Sequence, residues 1–292
     1  MANPDIGQSS ELIRLEQLGW RAATLGPVID QVHFVGDAIE VDYPEAGLSA
    51  LGLEGGSGYW FDHRAQVVID SLMRATNAKA IWDIGAGTGS MARRLSRGPY
   101  EVIAVEPLAK GARAIARHQM GEVFCSSLEQ LHLPDRSLRI VGLFDVIEHI
   151  EHPGDLLAEV HRVLEPSGVA VLTVPAFQTL WSDEDEAAGH TRRYRRMELD
   201  NVMAGIGFDK IDSQYLFATL VIPAAMIRAI PYRLGRRRSQ EEALASIATQ
   251  LIPSPFLDRS IRRLLHLECA IAKRVHLPVG TSVMGLYRRT AA

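Results

Sequence analysis

The sequence predicts an α/β protein built on a mostly parallel sheet with helices on both faces. Two observations carry that expectation. Strand-length apolar runs recur at residues 80–84, 101–105, 123–125, 140–144 and 169–174, and helical patterns at 90–97, 109–118 and 155–164 separate most of them. The first run ends in IWDIGAGTGSMARRL, a glycine-rich turn of the kind that joins a strand to a helix and lets a ligand approach the backbone. At 292 residues and 47% hydrophobic, the chain suffices for one such domain with additions.

Taken in order, Ser10 to Leu25 has a helical stripe in Leu12, Leu15 and Leu18. Residues 32–43 alternate apolar and polar about Gly36-Asp37, which reads as a hairpin. The glycine-rich residues 52–58 read as a linker, and residues 66–75 as a helix. After the strand–helix alternation comes a different segment. Residues 216–230 are nearly all apolar but contain Pro223 and Arg228, and are too few to span a bilayer. The basic run Gly235-Arg-Arg-Arg238 follows, then an amphipathic helix rich in leucine and arginine over 257–276. TSVMGLYRR at 281–289 reads as a closing strand.

Charge is unevenly spread. Residues 217–292 carry 12 Lys and Arg against 4 Asp and Glu, whereas residues 1–216 carry 19 against 31. A basic C-terminal quarter suits an anionic partner, a peripheral membrane contact or solvated helix faces. Aromatics make up 7% of the chain and are not interleaved with the basic run, which argues against nucleic acid. Cys125 and Cys269 lie far apart without C-x-x-C spacing, excluding a thiolate zinc site and suiting a reducing cytosol. The start, MANPDIGQSS, has neither the basic nor the apolar region of a signal peptide, so a cytoplasmic location is expected.

In parallel sheets ligands bind at the carboxyl ends of the strands. The glycines there are spaced G-x-G-x-G, with Asp83 two residues before the first. The next strand ends EVIAVEP, placing Glu106 where an acid can accept both hydroxyls of a ribose. That acid suits a nicotinamide cofactor equally, so a dehydrogenase is the rival reading.

DIGAGTG, AVEP, SSLEQLHLPDRSL, FDVIEHI and EVHRVLEPSGVAVLTVP, in this order and spacing, resemble the motif series of class I S-adenosylmethionine-dependent methyltransferases. The resemblance covers about residues 58–217 and the final strand. It implies a doubly wound, seven-stranded, mostly parallel Rossmann-like sheet whose last strand inserts antiparallel. An N-terminal extension (1–57) would precede the core (58–217), and a helical lid or insertion (218–280) would precede the closing strand (281–292). Carried over by position, Asp83, Gly85, Gly87 and Gly89 would line the methionine and ribose of S-adenosylmethionine. Glu106 would take the ribose hydroxyls, Pro107 would flank the adenine, and Ser127 and Leu128 would face its edge. Many relatives have an aspartate where Ser127 stands, so the adenine amino contact would pass to Glu129 or to the backbone. GYWFDHR resembles a segment lying over the cofactor, which makes Tyr59 and Arg64 candidates for its carboxylate.

Phe144 and Asp145, in LFDVIEHI, would sit beside the sulfonium and the acceptor. Methyl transfer needs an in-line nucleophile, close, desolvated and deprotonated if it is a hydroxyl. His149, with Glu148 beside it, and His190 are the candidate bases, and a metal-free base is the preferred reading. Asp145-x-x-Glu148-His149 with His190 also resembles the divalent-cation motif of ubiquinone-pathway O-methyltransferases and small-RNA terminal 2′-O-methyltransferases. The departure is Asp145, where those families use glutamate. A third reading is purely structural. Arg193 and Tyr194, in the charged stretch 181–196, are expected to grip an anionic or hydroxylated acceptor.

The expectation is an O-directed methyltransferase acting on a small or lipid-like acceptor. A non-catalytic binding module of the same fold and a nicotinamide-dependent reductase are the alternatives from other classes. Residues 218–280 read as a lid, an interfacial membrane patch or an extra helical layer.

Overall fold

The computed structural model describes residues 9–20, 27–36, 58–251, 255–272 and 275–290. Helix α1 (Ser10–Gln17) precedes a short hairpin, β1 (Val28–Ile29) and β2 (Val32–Phe34), and then α2 (Tyr59–Ala75). The core follows as β3 (Ala80–Ile84), α3 (Ala92–Arg97), β4 (Glu101–Val105), α4 (Ala109–Ala116), β5 (Gly121–Cys125), β6 (Leu138–Phe144), α5 (Gly154–Val163) and β7 (Leu164–Pro175). After it come α6 (Asp183–Ala188), α7 (Arg196–Ile206) and β8 (Phe208–Leu216). A continuous helical run is made of α8 (Val221–Ala224), a π-helical stretch (Ala225–Ala229) and α9 (Ile230–Arg233). Helices α10 (Gln240–Leu251) and α11 (Pro255–Ala272) and strand β9 (Ser282–Arg289) complete the chain.

One sheet runs in the order β1-β2-β5-β4-β3-β6-β7-β9-β8. Strands β2 through β7 pair in parallel, and β9 lies antiparallel between β7 and β8. The central strands are apolar nearly throughout because both their faces are covered. On one face Leu12, Leu15, Leu157, Val160, Leu199 and Met203 of α1, α5 and α7 form a core with Trp82 and Phe124. On the other, Val68 and Leu72 of α2 and Leu95 of α3 pack on Ile81, Ile140 and Met284. The sheet is therefore doubly wound, as expected.

Several expectations need correction. The sheet has nine strands among the described residues, not seven, because the N-terminal hairpin adds to its edge: His33 pairs with Phe124 and Phe34 with Cys125. A hairpin turns at Asp30-Gln31, both with positive φ; the one expected about Gly36-Asp37 runs outside the described residues after Gly36. Residues 37–43 and most of the expected linker, residues 52–57, lie outside the described residues. Helix α1 stops well before Leu25: Gly19 adopts φ 90°, and Trp20 turns into the core and donates to the Leu131 carbonyl at 2.9 Å.

The basic run also behaves differently from its composition. Arg237 pairs with Asp183 at 3.2 Å and Glu186 at 3.1 Å, and Arg238 with Glu184 at 2.6 Å. Tyr232 donates to Glu186, and Arg228 lies 3.6 Å from Glu184. The acidic helix α6 thus neutralises most of the run internally. The insertion's inner side belongs to the core layer, where Ala229, Ala243 and Leu265 are buried. There Glu268 accepts from the Ala218 and Thr219 amides at 3.0 and 3.1 Å.

Trp82 is fully buried at the centre of the sheet, stacked near Phe124. Replacing it with alanine removes a large side chain from a packed site, and we expect a loss of about 3–5 kcal/mol. Urea unfolding of Trp82→Ala against the wild type checks this.

Candidate active site

Strand β3 ends at Ile84, where the Gly85 and Ala86 amides donate to the Val105 carbonyl at 2.8 and 3.2 Å. The chain then turns through positive φ at Gly85, Gly87 and Gly89, a path that side chains resist. The Gly87 amide donates to one oxygen of Glu106 at 2.7 Å, and the Leu108 amide to the other at 2.9 Å. Glu106 is thereby fixed at the end of β4, and each oxygen retains a lone pair for a hydroxyl donor. Gly111 makes this closeness possible. A Cβ on it would stand 2.5 Å from the Gly87 carbonyl and 2.8 Å from Glu106 Cγ. Sequence reasoning missed Gly111; the available signal was a glycine inside an otherwise good helix.

Asp83 is buried at the end of β3, with a backbone hydrogen bond from Ala92 and no partner for Oδ2. Burial pushes its carboxyl up to about 7; Arg64 opposes that rise and Glu106 adds to it. Burial likewise pushes Glu106 up to about 7, against the two amides that stabilise its charge.

Asp145 ends the next strand over. It adopts φ 57°, which is unusual outside glycine, with its amide donating to the Thr173 carbonyl at 2.9 Å. Thr173 Oγ1 donates to its carboxylate at 3.2 Å, and Arg64 of α2 forms an ion pair with it. Arg64 was expected to face a cofactor carboxylate. Its guanidinium is instead committed to Asp145, tying α2 to the end of β6, while its Nε has no partner. Tyr59 is buried one turn earlier, with burial raising its hydroxyl and Arg228 opposing that rise. Phe144 is buried against the α2 face.

The remaining adenine-side candidates separate. Ser127 is partly exposed and its hydroxyl accepts from the Gln130 amide at 3.4 Å, capping a short 3-10 turn. Leu128 sends its side chain into the core, which leaves only its backbone for the contact expected there. Pro107 is partly exposed beside Glu106.

Glu148, His149 and His190 converge: one ligand atom from each lies within 4.8 Å of the others. The two imidazoles meet edge to face at 4.8 Å. His149 Nδ1 faces the Gly189 carbonyl at 3.2 Å, and His190 Nδ1 faces Asp185 at 2.8 Å. A carbonyl accepts only, so the neutral His149 ring carries its proton on Nδ1 and its lone pair on Nε2. His190 facing an ionised carboxylate has the same tautomer. Burial, then its His190 neighbour, brings His149 down to about 4, so it is neutral at physiological pH. Glu148 is fully buried with neither carboxylate oxygen bonded, and burial followed by Asp145 raises it well above the usual range. Thr191 anchors the His190 loop by donating its amide and hydroxyl to the Glu148 carbonyl at 2.7 and 2.8 Å.

Arg193 and Tyr194 have other work than gripping an acceptor. Arg193 donates twice to Asp185, at 2.7 and 2.9 Å, and to the Ala176 carbonyl at 3.1 Å. Tyr194 is buried, its hydroxyl donating to the Ile147 carbonyl at 3.4 Å, and burial pushes it up to about 12. Both residues hold the loop that carries His190. Asp185, the partner of both His190 and Arg193, was not singled out from the sequence. Among four consecutive acids only the fold reveals which one points inward.

Residues 82–172 match the family described as a methyltransferase domain. The chain is 30% identical over 162 residues to a protein of Mycolicibacterium smegmatis described as a probable S-adenosylmethionine-dependent methyltransferase, covering 54% of this chain and 63% of that one. A similarly described protein of Mycobacterium tuberculosis is 32% identical over 153 residues, covering 51% and 56%. The match thus spans less than two thirds of these relatives' own length. Among solved structures, the cyclase SpnF superposes with a TM-score of 0.52 at 16% identity, covering 79% of this chain and 81% of that one. Phosphoethanolamine N-methyltransferase 2 of Haemonchus contortus does so at 0.50 and 16%, covering 77% and 53%. At such identities these structures share the fold alone. Residues 82–172 thus match a methyltransferase domain, and the sheet order and motif series around them resemble those of class I S-adenosylmethionine-dependent methyltransferases. The cofactor of that class fits the residues present: an unpartnered buried Asp83 oxygen and a Glu106 with acceptor capacity face the glycine turn.

Ribose hydroxyls donating to Glu106 favour its ionised form. The carboxylate loses its charge as pH falls through about 7, so S-adenosylhomocysteine should bind more weakly at pH 6 than at pH 8. Calorimetry across that range should show the fall, and Glu106→Gln should flatten it.

Proposed function

We propose that the chain is an S-adenosylmethionine-dependent methyltransferase that methylates an oxygen of a small or lipid-like acceptor. The observation that carries this reading is the row of acids at the carboxyl ends of three neighbouring strands, β4, β3 and β6, around one glycine turn. Bound S-adenosylmethionine supplies an electrophilic methyl group, so the protein has to bind, orient and exclude water. Glu106 takes the ribose hydroxyls and Asp83 faces the donor groups beside them. Phe144 supplies an apolar wall, and the Arg64–Asp145 pair keeps that wall and α2 in register. Oxygen direction follows from the neighbouring cluster, in which neutral imidazole nitrogens can take a hydroxyl proton. Of the two histidines, His190 is the better placed, because Asp185 holds its ring and tautomer. His149, brought down to about 4, is a weak base. The apolar insertion beside this cluster supports a lipid-like acceptor.

A second reading is favoured by Glu148. Two unbonded carboxylate oxygens, fully buried beside two imidazoles, form a donor set suited to Mg²⁺, Mn²⁺ or Zn²⁺. The outer nitrogens of both histidines already have oriented partners, as metal-binding histidines do. A divalent cation there would supply positive charge that lowers the pKa of an acceptor hydroxyl. Glu148, His149 and His190 would hold it, with Asp145 nearby.

S-adenosylhomocysteine should raise the melting temperature, and Glu106→Ala should remove most of that shift. A shift with NADH and none with S-adenosylhomocysteine would establish the reductase alternative instead.

The cation is tested on chelator-stripped protein. Added Mn²⁺ or Zn²⁺ should raise its melting temperature, and Glu148→Gln should abolish the rise. If stripping changes neither melting nor turnover, His190 acts as a metal-free base.

A further inference from the structure

The insertion has an outer side that the core does not use. Along the helical run from Val221 to Arg233, Ile222, Met226 and Ile230 recur every fourth residue and point outward, Ile222 being 69% exposed. Leu234 continues that face. Helix α11 adds a second row, with Phe256 (80% exposed), Leu257, Leu264, Leu267 and Ile271 exposed beside buried Leu265 and Glu268. These are large aliphatic and aromatic groups in contiguous rows, not scattered single residues.

Charge accompanies both rows. Arg233 and Arg236 are exposed at the end of the first, and Arg259 and Arg263 lie within the second. Among the described residues none of these four has an acidic partner, in contrast to Arg237, Arg238 and Arg262, which are all engaged. The acids of this region are turned elsewhere. Asp258 pairs with Arg262, and Glu268 is buried under the Ala218 turn. Residues 217–240 contain no acid at all. The two helices are linked, since Glu268 of α11 holds the amides that begin the first run. Arg228 and Asp258 both act on the Tyr59 hydroxyl, so the two helices flank the same side of the candidate site.

We propose that this outer side of the insertion, formed by the Ile222–Leu234 and Phe256–Ile271 rows, docks on an anionic lipid surface. Apolar rows rimmed by arginine, whose acids are already engaged within the fold, suit the headgroup boundary of such a surface. The side chains enter the acyl region while the guanidinium groups meet phosphate and carboxylate. A second copy of this chain fits less well, because an isologous contact would bring like-charged rows together. No helix among the described residues is long and apolar enough to cross a membrane, so the contact is made lying in the surface. This anchor narrows the contact that the basic C-terminal quarter suggested, since Arg237 and Arg238 of that quarter are neutralised by α6.

The test uses the full chain without cofactor or acceptor, so its result does not depend on the catalytic reading. Cosedimentation is measured with vesicles of phosphatidylcholine alone and of phosphatidylcholine mixed with phosphatidylserine. Binding is expected to the mixed vesicles and to weaken with added salt. Arg259→Glu with Arg263→Glu should reduce it about tenfold or more. Leu264→Asp with Leu267→Asp should abolish it. Melting curves of all variants establish that they fold, and the arginine pair, lying on an exposed face, provides a reading even if the leucine pair does not. Three results overturn the proposal: no binding to either vesicle, binding that both double variants retain, or a dimer in solution that the leucine variant dissolves while vesicles are ignored.

Discussion

The Asp185 carboxylate is fully buried and accepts from Arg193 twice, from His190 and from the Ser182 amide. These donors hold it down to about 2 against a burial that would raise it. Most of what surrounds the candidate site depends on that one charge. It shapes the loop between β7 and α7, sets the tautomer of His190 and so places that ring edge to face with His149. It also keeps Arg193 from sitting buried and unpaired, a state far costlier than the ion pair itself. The same short helix pairs its other acids with Arg228, Arg237 and Arg238 of the insertion. One six-residue element therefore joins the histidine cluster to the insertion.

What could be read from the sequence divides along a physical line. Strands β3, β4, β6 and β7 were legible because burial on both faces leaves an uninterrupted apolar run, and no other placement buries it. The glycine turn and Glu106 were legible because positive φ and a strand-end acid leave local marks. Pairings over long separations were not. Arg64 meeting Asp145 and Arg238 meeting Glu184 depend on which elements the fold brings together, and a charged residue carries no mark of its partner.

The insertion shows how composition can mislead and still inform. An excess of arginine over residues 217–292 suggested an anionic partner, and part of that partner is the chain itself. Asp183, Glu184 and Glu186 of the acidic first part of the chain meet Arg228, Arg237 and Arg238 of the basic last part. What remains unpaired after this internal matching is the more informative quantity.

Strand β9 carries a consequence for how the chain is made. It fills the gap between β7 and β8, pairing with β7 from Val169 to Pro175 and with β8 from Phe208 to Leu216. Both neighbours leave the ribosome earlier, so for the time that residues 217–281 take to emerge, β7 has a bare edge beside the Thr173 that secures Asp145. A bare edge invites pairing with another chain. The wall of the site thus stays unfinished until synthesis reaches its last strand. A protein interrupted before that point would combine a well-formed glycine turn with an aggregation-prone sheet, so a ligand-binding half-product would be a target for chaperones rather than a smaller working enzyme.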